Sequence, residues 1–136
     1  MDWKTIKAPS LEDFERIAGE AFARLPEEFR SRCEGLVIRV EDFPTDEVLD
    51  AMELESPFDL LGLYHGTGEP YELSNRTTKL PDMVFLYRRP MLDYWADYDE
   101  TLGHIIAHVL IHEIGHHFGL SDAAMHAIED AADHSS

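Results

Sequence analysis

Two histidines one helical turn apart are the residues of this sequence best suited to chemistry. His112 and His116 enclose Glu113 in the segment His-Glu-Ile-Gly-His. Because an α-helix has about 3.6 residues per turn, positions i and i+4 lie on one face, so both imidazoles can reach one metal ion. Glu113 is rotated by about 100° from His112 and can approach a water molecule bound to that ion instead. The spacing predicts a zinc site in which His112 and His116 are ligands and Glu113 is the general base.

A third ligand is needed, since a catalytic zinc ion usually has three protein ligands and an open position for water. Asp122 follows His116 by six residues, and Gly119 between them is the residue type that ends helices in a left-handed conformation. A reversal of the chain there would bring the Asp122 carboxylate back to the imidazoles. Asp122 also stands where the next helix needs an N-cap, although Ser121 can fill that role. If Asp122 is only a cap, His126 or an acidic residue of the last helix becomes the substitute ligand.

Other histidines extend the four-residue series. His104 and His108 stand upstream at this spacing, but the helical face drifts by about 40° every four residues and few carboxylates are near in sequence. We therefore do not predict a second metal site there. His126 follows the third ligand by four residues and is a candidate for contact with the substrate or with a metal ligand. His117 is expected to point away from the ion.

A group that stabilises the oxyanion of a transition state would have to come from a distant segment. Tyr64, Tyr87, Arg88 and Tyr94 can each donate a hydrogen bond to an oxyanion, and each is equally suited to sheet packing or to a surface position. Tyr64 and Tyr87 are retained, with His126, as residues that contact the substrate or a metal ligand.

The motif from His112 to Asp122 resembles the metal-binding consensus of the zincin metallopeptidases, in the metzincin-like version that carries Asp in place of the usual third His. Further segments resemble the small bacterial zincin-like metallopeptidase family, and the similarity extends from Leu25 to Met125. These segments are Leu25-Pro26, Val40-Glu41-Asp42, Leu61-Gly62-Leu63-Tyr64, Leu80-Pro81-Asp82 and Leu86-Tyr87-Arg88-Arg89-Pro90.

The resemblance implies a minimal zincin fold and a zinc-dependent peptidase, but no particular substrate. In zincins the substrate lies antiparallel to an edge strand, so the strand near Phe58–Tyr64 or the one near Met83–Tyr87 would present that edge. The metzincin type also has a Met-containing turn beneath the metal. Met125 either plays that part or fills the core.

Composition limits the classes of partner. The formal net charge is −17, which repels nucleic-acid phosphates and anionic lipid headgroups. Basic peptides or basic protein surfaces are the better electrostatic match, and solubility through self-repulsion is the alternative. Cys33 is the one cysteine, which leaves no intrachain disulfide, and the sequence has neither a signal-like opening nor a run of about 18 apolar residues. We expect a cytoplasmic protein that acts on peptides or proteins and binds neither nucleic acid nor membranes.

The pattern of apolar residues predicts an α+β protein. Its length of 136 residues fits one domain, residues 1–136, in which a small mixed or antiparallel sheet packs on a long active-site helix between N- and C-terminal helices. No element is assigned to the aromatic and acidic segment Met91–Tyr98. The predicted elements are a helix from Ser10 to Leu25 with a turn or second helical piece to Arg32, a strand at 36–40, a helix at 46–53, a strand at 58–64, a loop at 65–81, a strand at 83–87, a long helix from Asp97 or Asp99 to Phe118, and a last helix at 121–133.

Overall fold

The fold is known from a computed structural model, which describes residues 2–66 and 81–133. Within these residues the chain forms six α-helices and one three-stranded sheet, so the prediction of a small α+β fold is confirmed. The assignment of the whole chain to one domain stays a prediction. The helices are α1 (Leu11–Ala23), α2 (Glu27–Ser31), α3 (Asp46–Ala51), α4 (Arg88–Asp97), α5 (Leu102–His117) and α6 (Asp122–Asp133), and the strands are β1 (Val37–Glu41), β2 (Gly62–His65) and β3 (Met83–Tyr87).

The sheet is mixed, with the strand order β1-β3-β2. β3 runs parallel to β1, with Val40 opposite Leu86, and antiparallel to β2, with Leu63 opposite Phe85. β3 is therefore the central strand, and the expectation that it could present an edge to a substrate is wrong. Val84 and Leu86 of β3 point to one face of the sheet, and both are fully buried there. β1 and β2 are the two outer strands in the part of the chain that the structure describes, so of the two strands considered for the substrate edge only β2 lies at an edge.

The long helix α5 is the element around which the others pack. It contacts α1, α4, α6, β2 and β3. Thr101 caps its start, since the Thr101 hydroxyl accepts a hydrogen bond from the His104 N–H at 3.1 Å. Its other end closes at Gly119, where φ is +70° and the Leu120 N–H donates to the Gly115 carbonyl at 2.9 Å. The predicted end is thus confirmed, whereas the start lies several residues later than predicted.

The residues before α5 form a helix that was not predicted. α4 follows β3 directly, and Pro90 lies in its first turn, where a missing N–H removes no intrahelical hydrogen bond. The two prolines around β3 had indicated strand boundaries only. α4 buries Pro90 and Met91 and occupies the segment in which α5 was expected to begin.

Smaller differences from the prediction have local causes. β2 begins at Gly62 because Ser56 and Pro57 start a 3-10 turn over Pro57–Asp59, in which the Ser56 hydroxyl accepts from the Phe58 N–H. β1 is shifted by one residue, and α3 ends at Ala51 rather than at residue 53. The second helical piece after Pro26 is confirmed as α2. Most of the predicted loop, residues 67–80, lies outside the described residues.

The apolar core lies between α5, the sheet, α1 and α6. α1 starts with a capping box in which Ser10 and Asp13 exchange hydrogen bonds, as predicted for Ser10, and it buries Phe14 and Ala18. Cys33 is a buried free thiol. Among the described residues, no helix combines the length and the apolar character needed to cross a bilayer.

Candidate metal and active site

Helix α5 and the start of α6 bring the three predicted metal ligands together. The ligand atoms of His112, His116 and Asp122 all lie within 4.8 Å of one another. The two imidazole rings are 5.9 Å apart at their centroids and nearly perpendicular, as expected for side chains one turn apart that converge on one point. Two imidazole nitrogens and one carboxylate oxygen form a donor set that suits zinc and leaves one position open.

Asp122 is not needed as a helix cap. The Ser121 hydroxyl accepts a hydrogen bond from the Ala124 N–H at 3.1 Å and so caps α6. Gly119, in its left-handed conformation, turns the chain between α5 and α6. Because Ser121 is the cap, the Asp122 carboxylate is available to bind an ion.

Glu113 lies between α5 and β2. Its Oε1 accepts a hydrogen bond from the Tyr64 N–H at 3.2 Å. Burial raises the pKa of Glu113, while the nearby His116 and the Tyr64 amide act in the opposite direction. A carboxylate with a raised pKa is a better proton acceptor near neutral pH than an exposed one.

β2 approaches α5 closely because it has a glycine at the contact. A Cβ added to Gly62 would lie 2.6 Å from Val109 Cγ1 and 3.4 Å from Glu113 Cγ. A side chain at this position would therefore push β2 away from the helix. Gly62 keeps the Tyr64 amide within reach of Glu113.

His112 is only a quarter exposed. Burial lowers its pKa, and the neighbouring His108 lowers it further. A lowered pKa favours the neutral imidazole, which is the form that binds a metal ion.

The tyrosines and the arginine considered as oxyanion donors make other contacts. The Tyr64 hydroxyl lies 3.1 Å from Asp82 Oδ2, its ring stacks on His117 at 3.9 Å, and burial with the Asp82 charge raises its pKa. Tyr87 is buried in the sheet, and its ring is parallel to that of Phe85. Both residues stay predictions as substrate contacts, but Tyr87 lies in the position of a packing residue.

Two more residues hold the fold together around α4. Arg88 donates from Nε to the Pro9 carbonyl at 2.6 Å and from Nη1 to Asp42 at 3.0 Å. Tyr94 stacks on Tyr98 at 4.2 Å. Arg88 therefore joins α4 to the N-terminal segment and to the residue after β1.

The structure places His126 and Met125 on different faces of α6. The His126 side chain is 75% exposed and lies 3.7 Å from Asp130, and its part as a substitute ligand or a substrate contact stays a prediction. Met125 is fully buried and contacts Gly115 on α5. Met125 fills the space between the two helices behind the ligands.

Sequence reasoning missed Glu129. This glutamate of α6 is 9% exposed, and its Oε1 lies 2.5 Å from His108 Nδ1 and 3.4 Å from His112 Nε2. Few carboxylates lie near His108 along the sequence, but the fold brings one from α6. A signal was available, because Glu129 follows the buried Met125 by four residues and so lies on the face of α6 that packs on α5.

The sequence itself carries the family relationship. Residues 33–132 match the family of zincin-like metallopeptidases. The match covers more than half of the chain and includes all three strands and the segment from His112 to Asp122. No curated protein matches the chain. The chain therefore belongs to the zincin-like metallopeptidase family.

Proposed function

We propose that this protein is a zinc-dependent peptidase that hydrolyses peptide bonds, with Glu113 as the general base. One observation carries the proposal. The Glu113 carboxylate accepts a hydrogen bond from the Tyr64 amide and interacts electrostatically with His116, a member of the convergent cluster of His112, His116 and Asp122. A general base next to a group of metal ligands is the arrangement that activates a water molecule for attack.

His112, His116 and Asp122 would hold the ion. A zinc ion in such a site lowers the pKa of water towards neutrality and polarises the carbonyl group of a substrate. Two imidazoles and one carboxylate also accept other divalent ions, so zinc itself is part of the proposal.

Glu113 would transfer the proton. It would take a proton from the water as the C–O bond forms at the peptide carbonyl carbon, and then give that proton to the amine nitrogen as the C–N bond breaks. Its raised pKa matches this task, because a base is most effective when its pKa is near the working pH. The hydrogen bond from Tyr64 orients the carboxylate throughout.

The substrate that we propose is a basic peptide running beside β2. β2 lies next to the base through the Tyr64 amide. A cavity of about 440 Å³ between α4, α5 and α6 is lined by Glu100, Asp130 and Tyr94 among others, and suits a lysine or arginine side chain. The net charge of −17 favours the approach of such a peptide. We place this activity in the cytoplasm, with support from the free thiol of Cys33.

The test replaces the base and keeps the ligands. We expect Glu113→Gln to lower kcat by about a hundredfold or more, since general-base catalysis typically contributes that factor, while the zinc content stays that of the wild type. Cleavage of a mixed peptide library by mass spectrometry and metal analysis of the purified protein measure the two quantities. Glu12→Gln, an exposed substitution in α1, is the matched control. Equal cleavage rates of Glu113→Gln and wild type would refute the role of Glu113 as the base, whereas a zinc-loaded wild type that cleaves no peptide would favour a metal-binding module without turnover.

A further inference from the structure

A second group of ligand atoms lies on the other side of His112. The ligand atoms of His108, His112 and Glu129 are also within 4.8 Å of one another. The rings of His108 and His112 stand one helical turn apart, 4.0 Å between centroids and tilted by 31°. Glu129 reaches them from α6. The donor set is therefore the same as that of the first cluster, two imidazoles from one helix and a carboxylate from the next.

One oxygen of the Glu129 carboxylate is buried beside two imidazoles without a hydrogen bond. Its Oε1 is shielded from solvent and makes no hydrogen bond to the described residues, although nitrogens of His108 and His112 lie close. Burying a carboxylate without directed partners is costly, and a bound cation removes that cost. The orientation of Oε1 thus points to a ligand between the three side chains.

We propose that His108, His112 and Glu129 form a second binding position for a divalent transition-metal ion such as zinc. His112 belongs to both clusters. We expect an ion at the second position to compete with an ion at the first for this shared imidazole. Excess zinc would then inhibit the peptidase. The inhibition rests on the proposed function, whereas the binding itself does not.

Binding is tested on a variant that lacks the first position. His116→Ala/Asp122→Ala removes two exposed side chains and leaves the second cluster intact. We expect this variant to bind one zinc ion in isothermal titration with zinc chloride, with circular dichroism as the check of folding. Adding Glu129→Gln or His108→Ala should weaken this binding by more than about tenfold, since even indirect partners of a metal contribute about tenfold to a hundredfold. His104→Ala, one turn earlier on α5 and beside Glu100, is the matched control and should bind as its parent does.

The outcomes separate this proposal from the simpler role of Glu129 in orienting His112. A folded His116→Ala/Asp122→Ala variant that binds no zinc would overturn the proposal, and so would binding that is unchanged by Glu129→Gln. In the presence of turnover, zinc in excess should inhibit the wild type, and Glu129→Gln should raise the inhibitory concentration by about tenfold. If no peptide is cleaved by the wild type, the titration alone still decides whether the second position exists.

Discussion

Burial shifts the pKa values of two adjacent residues on α5 in opposite directions. Burial lowers the pKa of His112 and raises that of Glu113, because a low-dielectric surrounding favours the neutral form of each group. The imidazole is then free of a proton and ready to bind metal, and the carboxylate gains affinity for a proton. The two shifts have one cause, the packing of α5 beneath β2 and α6. Each group is thereby prepared for the role proposed for it.

The raised pKa of Glu113 has a consequence for stability in the absence of metal. Between its ordinary value of 4.5 and its raised value, the native protein binds more protons than the unfolded chain. The free energy of unfolding should therefore fall as the pH rises through this window. Glu113→Gln has no such proton, so we expect the metal-free wild type to lose stability relative to this variant as the pH rises.

Urea unfolding with a chelator, from about pH 4 to about pH 8, measures this difference. The hydrogen bond from Tyr64 is retained in the variant, because the Gln side-chain oxygen also accepts. The same dependence on pH in both proteins would show that the Glu113 carboxyl is not perturbed in the native state.

Two glycines allow β2 and α6 to pack closely against helix α5. Gly115 lies under Met125 of α6, where an added Cβ would meet the Met125 Cγ at 2.7 Å, and Gly62 of β2 lies against Val109. These two glycines let a strand and a helix approach α5 on either side of the ligands. The geometry of the metal cluster therefore depends on residues without side chains as much as on the ligands themselves.

Two glycines in helices should respond oppositely to alanine. Gly115→Ala introduces a methyl group into a filled contact and should destabilise the protein by about 1–3 kcal/mol, less the part that the flexible Met125 side chain relieves. Gly19→Ala in α1 meets nothing within 4 Å among the described residues and should stabilise by about 0.5–1 kcal/mol. Chemical denaturation of both variants measures the two changes. Stabilisation by Gly115→Ala would contradict the packing of α6 on α5 described above.

The whole molecule carries a charge large enough to influence both stability and encounter with substrates. Twenty-eight acidic residues stand against 11 basic ones. Like charges on a compact surface repel, and they attract cations from solution over a distance of about one Debye length. The proposed preference for basic peptides follows from this excess of negative charge.

Salt should separate the two effects of charge. Raising sodium chloride from about 50 mM to about 500 mM should raise Tm, because self-repulsion is screened, and should lower kcat/KM for a lysine- or arginine-containing peptide by about tenfold. A neutral peptide of the same length is the control, and its kcat/KM should change little. Calorimetry and a continuous cleavage assay provide the measurements. Equal responses of the basic and the neutral peptide would argue against electrostatic selection of the substrate.

The features of this protein that depend on local backbone geometry could be predicted from the sequence alone. The spacing of His112, Glu113 and His116, and the glycine that ends the helix at Gly119, follow from helical periodicity and from the left-handed conformation that glycine accepts.

The contacts between groups that are distant in sequence could not be predicted and became known from the tertiary structure. β3 became the central strand, Ser121 rather than Asp122 became the cap of α6, and Glu129 came to lie beside His108. The physical reason is that these outcomes depend on the angle and distance at which whole elements pack, and packing is set by many side chains together. Periodicity places a residue on a face, whereas the partner of that face is chosen by the fold.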